Sequence, residues 1–361
     1  MGQMGRAFVA AHHEDGVALV IALVIITLVA VVVLDLNYLM RVDVHASANF
    51  RDGISSYYLA KSGITLVNEL FGPKFQNVQG LEQLKNTLLA GGSQTLPLGD
   101  GTVALRVMDE TGKINVNALV IDTATAQPQT AQPQPVQPQP GQQRGQREPQ
   151  ATSPWIQITQ DLFQRLGIDP NLVGAIIDWI DLDDIPTGSG GAESNYYRTL
   201  EKPYAARNGP METIAELRLV RGFTDEVLLK LGAKRIGGIV DPATNAYLTA
   251  IPLTQGGGWR VNLNTAPPLL LSSLTREAGQ FTDIIVQRRS QGRIESINEL
   301  QQLGITGEAL QDFQRLGTLT SSSYAIEARG TVGDIAKQIT TLVMVQTGGQ
   351  QGNQILYWRV Q

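Results

Sequence analysis

An uncharged apolar run from Val17 to Leu34 begins directly after Gly16 and constrains this chain more than any other feature. Across residues 16–36 it reads GVALVIALVIITLVAVVVLDL, with Thr27 its only polar side chain before Asp35. A helix of this length rises about 27 Å, enough to cross the hydrocarbon core of a bilayer. The remainder is polar enough to be soluble, so the sequence describes a large domain on one N-terminal membrane helix. Apolar residues continue at helical spacing through Leu36, Leu39, Val42, Ile54, Tyr58, Leu66 and Leu70, with Gly72-Pro73 as the stop. The pattern predicts one helix over 17–72, half in lipid and half amphipathic, running into the domain.

Three fates compete for such a start. A secretory signal peptide has a shorter apolar core, of about 7–15 residues, with a small-residue cleavage site close by. Ala46-Ser47-Ala48 has the right chemistry but lies too far beyond the core. A plain single-span anchor is the second. The third is cleavage on the cytoplasmic side, after Gly16, which leaves Val17 as the first residue of an intact helix able to pack into a filament.

Composition narrows the chemistry. The chain has 361 residues and 42% hydrophobic content, enough for two or three cores beyond the anchor. Its net charge of −5 gives no reason to expect a nucleic-acid or anionic-lipid partner. Cysteine is absent, and the three histidines, His12, His13 and His45, lie before or beside the apolar run. Cys/His zinc sites, thiol nucleophiles, disulfides and His-based triads are therefore excluded from the soluble part.

Residues 122–151 are Pro/Gln repeats that cannot bury enough apolar surface to offset their ordering entropy, and they read as a linker. Ahead of it, Gly99-Asp100-Gly101 is a hairpin turn before alternating Val103, Leu105 and Val107. Residues 152–317 are mainly helical, with segments near 159–166, 170–181, 211–220, 224–232, 267–277, 281–289 and 296–303. Strands return at 324–329, 335–345 and 355–360, with a turn between Gly330 and Gly333. The order is a long helix, strands, a helical block, then strands. An α+β fold with a helical domain inserted into an antiparallel sheet domain explains it most economically. The boundaries drawn are a leader over 1–16, the long helix over 17–72 (17–36 transmembrane) and a first sheet part over 73–121. The linker at 122–151 follows, then helical modules over 152–260 and 261–317 and closing strands over 318–361.

The helical block carries an internal repeat. Ile114-Asn-Val-Asn-Ala118 matches Val261-Asn-Leu-Asn-Thr-Ala266, and Thr213-Ile-Ala-Glu-Leu217 matches Ser296-Ile-Asn-Glu-Leu300. The second pair are capping boxes, in which Thr213 or Ser296 caps a helix and Glu216 or Glu299 reaches back to the cap. Thr265 is a further expected N-cap, with Pro267 in the first turn. Helix, tight turn and helix, twice over, reads as two SAM-like or helix-hairpin-helix modules. Such modules often bind DNA, but residues 152–317 hold 19 acids against 15 bases. Clustered positive charge, which counterion release requires, is confined to Lys230/Lys234/Arg235 and Arg288/Arg289/Arg293.

The chemically sharpest segment lies between Arg165 and Arg198. It holds Asp169, Asp178, Asp181, Asp183, Asp184 and Glu193 and no Lys or Arg. Ile176, Ile177, Trp179 and Ile180 make its helix apolar, while Asp178, Asp181, Asp183 and Asp184 gather at its C-terminal pole, where the macrodipole is already negative. A cation would relieve that arrangement. Oxygen-only ligands in an irregular Gly-rich loop suit Ca²⁺ better than Mg²⁺, although the spacing is not that of an EF-hand. A solvated acidic loop is the alternative, and the residues alone leave both open.

Taken together, these motifs resemble a known family, the type II secretion minor pseudopilin called general secretion pathway protein K. The resemblance rests on the N-terminal run and on YYLAKSGI at 57–64, GKINVNAL at 112–119, IIDWIDLDD at 176–184 and GAESNYY at 191–197. METIAELRLVRGF at 211–223, RVNLNTAP at 260–267, ESINELQQL at 295–303 and YWR at 357–359 complete the series. It covers the chain apart from the Pro/Gln linker. It implies cleavage by prepilin peptidase between Gly16 and Val17, methylation of Val17, and a pilin-like α+β domain with a large helical insertion. It also implies calcium held by some of Asp178, Asp181, Asp183, Asp184 and Glu193. Implied partners are other minor pseudopilins, the major pseudopilin, secreted cargo and the outer-membrane secretin, with the helix in the inner membrane and the domain in the periplasm. One departure is the leader, where Glu14-Asp15 precede Gly16 in place of basic residues.

The resemblance makes one position mechanistic. Major pilins and pseudopilins carry Glu five residues into the mature helix, where it pairs with the free amine of a neighbour. Here that residue is Ile21. A subunit without the carboxylate can offer its own amine to the next one but cannot dock beneath another, so it starts or caps a filament. The expected function is assembly at a pseudopilus tip, with no catalysis. The competing reading is a membrane-tethered helix-hairpin-helix protein of a DNA-uptake machine. An envelope hydrolase using the acidic loop would lack a nucleophile or base.

Overall fold

Helix α1 spans Gly5–Leu70 without a break in the computed structural model, which describes residues 5–71, 84, 87–88, 92–120, 153–253, 258–275, 278–345 and 353–361. The helix begins before Gly16, so the expected leader and mature helix are continuous here. Nothing at Gly16 forces a break, because an interior glycine costs only about 1 kcal/mol. The Gly72-Pro73 stop and the Pro/Gln linker lie outside the described residues. From Gly16 onward α1 is long and apolar enough to cross a membrane, and its most apolar window is wholly unburied.

Five antiparallel strands form the sheet, in the order β1 (Ser93–Leu98), β2 (Gly101–Asp109), β3 (Ser323–Val332), β4 (Ile335–Met344) and β5 (Gln354–Val360). The β1–β2 hairpin turns at Gly99-Asp100, and Leu98 pairs with Gly101, as the turn signal predicts. Val103, Leu105 and Val107 point alternately into the core, where they meet Ile326, Ala328, Ile339 and Val343.

The face of α1 that meets this sheet is not the one the apolar spacing predicts. Ile54, Tyr58 and Leu66 are 44%, 58% and 39% exposed, whereas Ser56, Ala60, Ile64 and Val67 are buried. Close approach decides the face. A Cβ on Gly330 would lie 2.1 Å from the Ser56 carbonyl oxygen, and one on Gly63 would lie 2.7 Å from Leu105. Small residues at Ser56, Ala60 and Gly63 let the helix axis settle on the sheet, and Ile64, Val67 and Leu70 continue the buried face toward its C-terminal end.

The helical insertion leaves the end of β2 and returns at the start of β3. Asp109 pairs with Tyr324, and the Glu110 N–H donates to the Ser323 carbonyl at 3.0 Å. This exit lies at the membrane-distal end of α1, since Phe71 packs on Tyr324 with ring centroids 4.5 Å apart. The β3–β4 turn lies at the opposite end, where the Ser56 hydroxyl donates to the Ile335 carbonyl at 2.9 Å.

The insertion is built by two repeats of one device. Asn115 and Asn262 each accept a bond from the N–H two residues on. Asn117 then grips Met211 through its N–H and carbonyl, and Asn264 grips Ile294 in the same way. Each gripped residue lies two positions before a cap, Thr213 or Ser296. Short parallel pairs close each unit, Ile114–Asn115 on Leu248–Thr249 and Val261–Asn262 on Gly317–Thr318. Helices α2 (Pro154–Arg165), α3 (Leu172–Ile180), α4 (Ser194–Tyr197) and α5 (Asp225–Lys230) belong to the first. Helices α6 (Pro268–Leu271), α7 (Ala278–Gln291), α8 (Ile297–Gln302) and α9 (Gly307–Leu316) belong to the second. One apolar core runs through both, including Phe163, Ile176, Leu217, Leu228, Leu271 and Phe313.

Several local expectations change. The segment 211–220 forms a 3-10 helix over Ile214–Leu219, although its capping box is complete. Glu299 accepts from the N–H of Glu295, one residue ahead of the Ser296 cap. Helix 267–277 shrinks to Pro268–Leu271, and Thr265 does not cap it. Its hydroxyl donates instead to Asp109 Oδ2 at 2.5 Å, an oxygen that also accepts from Asn262 and Ser321. A carboxylate at the end of the sheet outcompetes a local backbone amide and ties the second unit to β2.

Candidate cation site

Helix α3 is almost wholly buried from Val173 to Ile180, so its apolar side chains dock it into the core. The buried stretch includes Asp178, which is 0% exposed. Its carboxylate accepts the Thr187 N–H at 2.9 and 3.1 Å, which folds the following loop back over the helix. Glycine makes the fold-back possible. A Cβ on Gly174 would lie 2.3 Å from the Thr187 carbonyl, and one on Gly191 would lie 2.4 Å from Asp178 Oδ2. Asp181 caps α3, and Glu193 stands before α4 without capping it.

The loop brings three of the five expected ligands together. Ligand oxygens of Asp178, Asp181 and Glu193 all lie within 4.8 Å of one another. Asp183 and Asp184 are exposed beside them, and Asp183 is engaged by the Ile185 N–H at 2.9 Å. Glu193 is 3% exposed, yet both of its carboxylate oxygens lack a hydrogen-bond partner, as does Oδ1 of Asp181. Buried acceptors without donors are costly. The donor set is three carboxylates, which fits a hard divalent cation of the calcium type.

Electrostatics agree with the geometry. Burial, followed by the charges of Asp183, Asp178 and Asp184, pushes the Asp181 carboxyl up to about 7. Burial again leads for Glu193, also raised to about 7, with Asp178 and Asp181 the largest charges adding to it. Asp178 is raised by burial against the opposing effect of the Thr187 bonds. Like charges held this close ionise together only if something positive joins them.

The surroundings are closely packed. Trp179 packs edge-on against Tyr197 at 5.2 Å, and its indole N–H donates to Glu216 at 3.2 Å. Sequence reasoning found all three converging carboxylates through the charge run. It did not identify Gly174, Gly191 or Thr187, whose roles depend on contacts between separated segments. At the other end of the molecule Val17 and Ile21 are 61% and 54% exposed on α1.

Residues 112–233, which include every one of these carboxylates, match the family model for protein K of the type II secretion system. Type II secretion system protein K of Aeromonas hydrophila is 24% identical over 257 residues, 71% of this chain and 69% of that protein. The protein of the same description from Pseudomonas aeruginosa is 24% identical over 287 residues, 77% and 74% of the two chains. The chain is similar to type II secretion protein K. The fold agrees as well. A crystal structure of a GspK-GspI-GspJ complex from the enterotoxigenic Escherichia coli type 2 secretion system contains a chain alike at a TM-score of 0.55 and 20% identity, covering 89% of this chain and 99% of that one. The resemblance to protein K and the α+β architecture expected from sequence both stand.

Proposed function

We propose that this chain is a minor pseudopilin that sits at the tip of a type II secretion pseudopilus, joins other minor pseudopilins there and starts or caps assembly. The observation that carries the reading is the place of the insertion. It grows from the end of the sheet farthest from the membrane span, beyond the C-terminal end of α1. A bulky domain at that end obstructs a subunit stacked above, while the lower part of α1 stays open. Ile21, in the position where a propagating subunit carries a carboxylate, supports the same polarity.

The exposed apolar stripe of α1 has a use in this arrangement. Leu39, Val42, Phe50, Ile54 and Tyr58 are exposed on α1, ready to pack against helices of neighbouring pseudopilins. Removal of the leader at Gly16 exposes the Val17 amine for the subunit below. The helix would then lie in the inner membrane, with the domain in the periplasm. The three-carboxylate cluster holds calcium, which fastens the loop after α3 and stiffens the insertion. That role is structural, and no reaction is assigned to the chain. Nothing in the likenesses favours the DNA-uptake alternative.

The test is the distribution of the chain on sheared pseudopili, read with an antibody to the insertion, together with mass spectrometry of its N-terminal peptide. Label at one end only and a first residue of Val17 are expected. Label along the shaft, or recovery of the intact leader from assembled fibres, refutes the proposal.

A further inference from the structure

We propose that Arg221 is a positioning residue for the cation site, holding the Gly191–Glu193 segment in ligating shape through its backbone; this rests on reading the carboxylate cluster as a cation site. Arg221 follows the 3-10 helix Ile214–Leu219, remote in sequence from the acidic loop. Its Nη1 donates to the Gly191 carbonyl at 2.8 Å. Its guanidinium carbon lies 5.0 Å from the centre of the Tyr196 ring, and its own N–H donates to the Tyr197 hydroxyl oxygen at 3.2 Å. One residue thus grips both ends of the segment that carries Glu193.

The choice of partners is informative. An arginine beside an acidic cluster would ordinarily pair with a carboxylate and compete with a cation for it. The partners of this side chain are a carbonyl and an aromatic face instead, and the Glu193 oxygens stay unpaired. The gripped residue is also closely hemmed in, because a Cβ on Gly191 would lie 2.4 Å from Asp178 Oδ2. Holding its carbonyl fixes where the chain passes over Asp178 and so where Glu193 is delivered. Outer residues that orient ligands in this way typically set metal affinity by about 10- to 100-fold.

The experiment is calorimetric titration of metal-stripped, detergent-solubilised full-length protein with calcium chloride, comparing wild type with Arg221→Ala, Arg221→Lys, Tyr196→Leu and Glu193→Gln. Wild type should bind. Arg221→Ala should bind about 10- to 100-fold more weakly, with unchanged far-UV circular dichroism and an unchanged metal-free melting temperature. Arg221→Lys and Tyr196→Leu should fall between, and they serve if the alanine variant does not fold. Equal calcium affinity in wild type and the Arg221 variants, with binding lost in Glu193→Gln, overturns the role of Arg221 alone. Absence of binding by wild type overturns the cation site and the strap together.

Discussion

Stripping the metal should reverse how this protein responds to pH. In the cation-free fold the Glu193 carboxyl rises from 4.5 to about 7, and that of Asp181 from 3.8 to about 7. The folded chain therefore binds more protons than the unfolded chain between those limits. Stability is highest below the unfolded values, falls as pH rises through the window, and levels off above about 7. At about 1.4 kcal/mol per pH unit, ionising Glu193 alone costs the fold about 3 kcal/mol. Asp181 is less buried, and its titration is coupled to that of Glu193, so the two costs are not additive. For a unit of this size each kcal/mol moves the melting temperature about 2–4 °C, so a fall on the order of 6–12 °C is expected between about pH 5 and pH 8. Calcium requires the ionised ligands and binds more tightly as pH rises, so the loaded protein should show a flat or rising profile. Differential scanning calorimetry of stripped and calcium-loaded protein across that range reads both slopes. Parallel profiles, or a stripped protein that gains stability toward pH 8, would refute the reasoning.

Glu193→Gln should raise the melting temperature of stripped protein at about pH 8 by several degrees and remove the calcium response, both visible in the same scans. Asn117→Ala and Asn264→Ala remove equivalent bonds from the two units, buried at Asn117 and part-buried at Asn264, and each should cost about 1–3 kcal/mol in urea unfolding, the first more than the second. No loss in either variant would mean that the repeated asparagine grip does not hold its unit together. Gly330→Ala places a methyl against the Ser56 carbonyl and should cost at least about 1–3 kcal/mol, with faster amide exchange in α1 near residues 56–60. Arg359→Ala leaves the buried Asp241 carboxylate without its guanidinium partner. A loss of about 3 kcal/mol is expected by denaturant titration, and no loss would show that the C-terminal strand is not tied to the insertion.

What sequence reveals here divides by distance along the chain. The apolar run, the Gly99-Asp100 hairpin and the strands after Ser323 are local patterns that the structure has, although the strand expected to end at Arg329 runs on through Gly330 to Val332. The acidic segment is local too, since Asp178, Asp181 and Glu193 lie within one fold-back. Contacts between remote segments stayed hidden. Thr265 looks like a helix cap until Asp109, distant in sequence, is placed beside it. Hydrophobic spacing places Leu70 correctly but not the rest of the buried face of α1, where the close approach to the sheet also takes Ser56, Ala60 and Gly63. The two-residue parallel pairs that close each unit are too short for any periodicity to register.

The insertion departs and rejoins at two adjoining strands of one sheet, with a backbone bond joining the exit to the return. A graft with such neighbouring ends can be gained, exchanged or trimmed without moving the host strands, because β2 and β3 already pair along their length. Joining Asp109 to Tyr324 by a tight turn should leave a small, independently folding stalk domain.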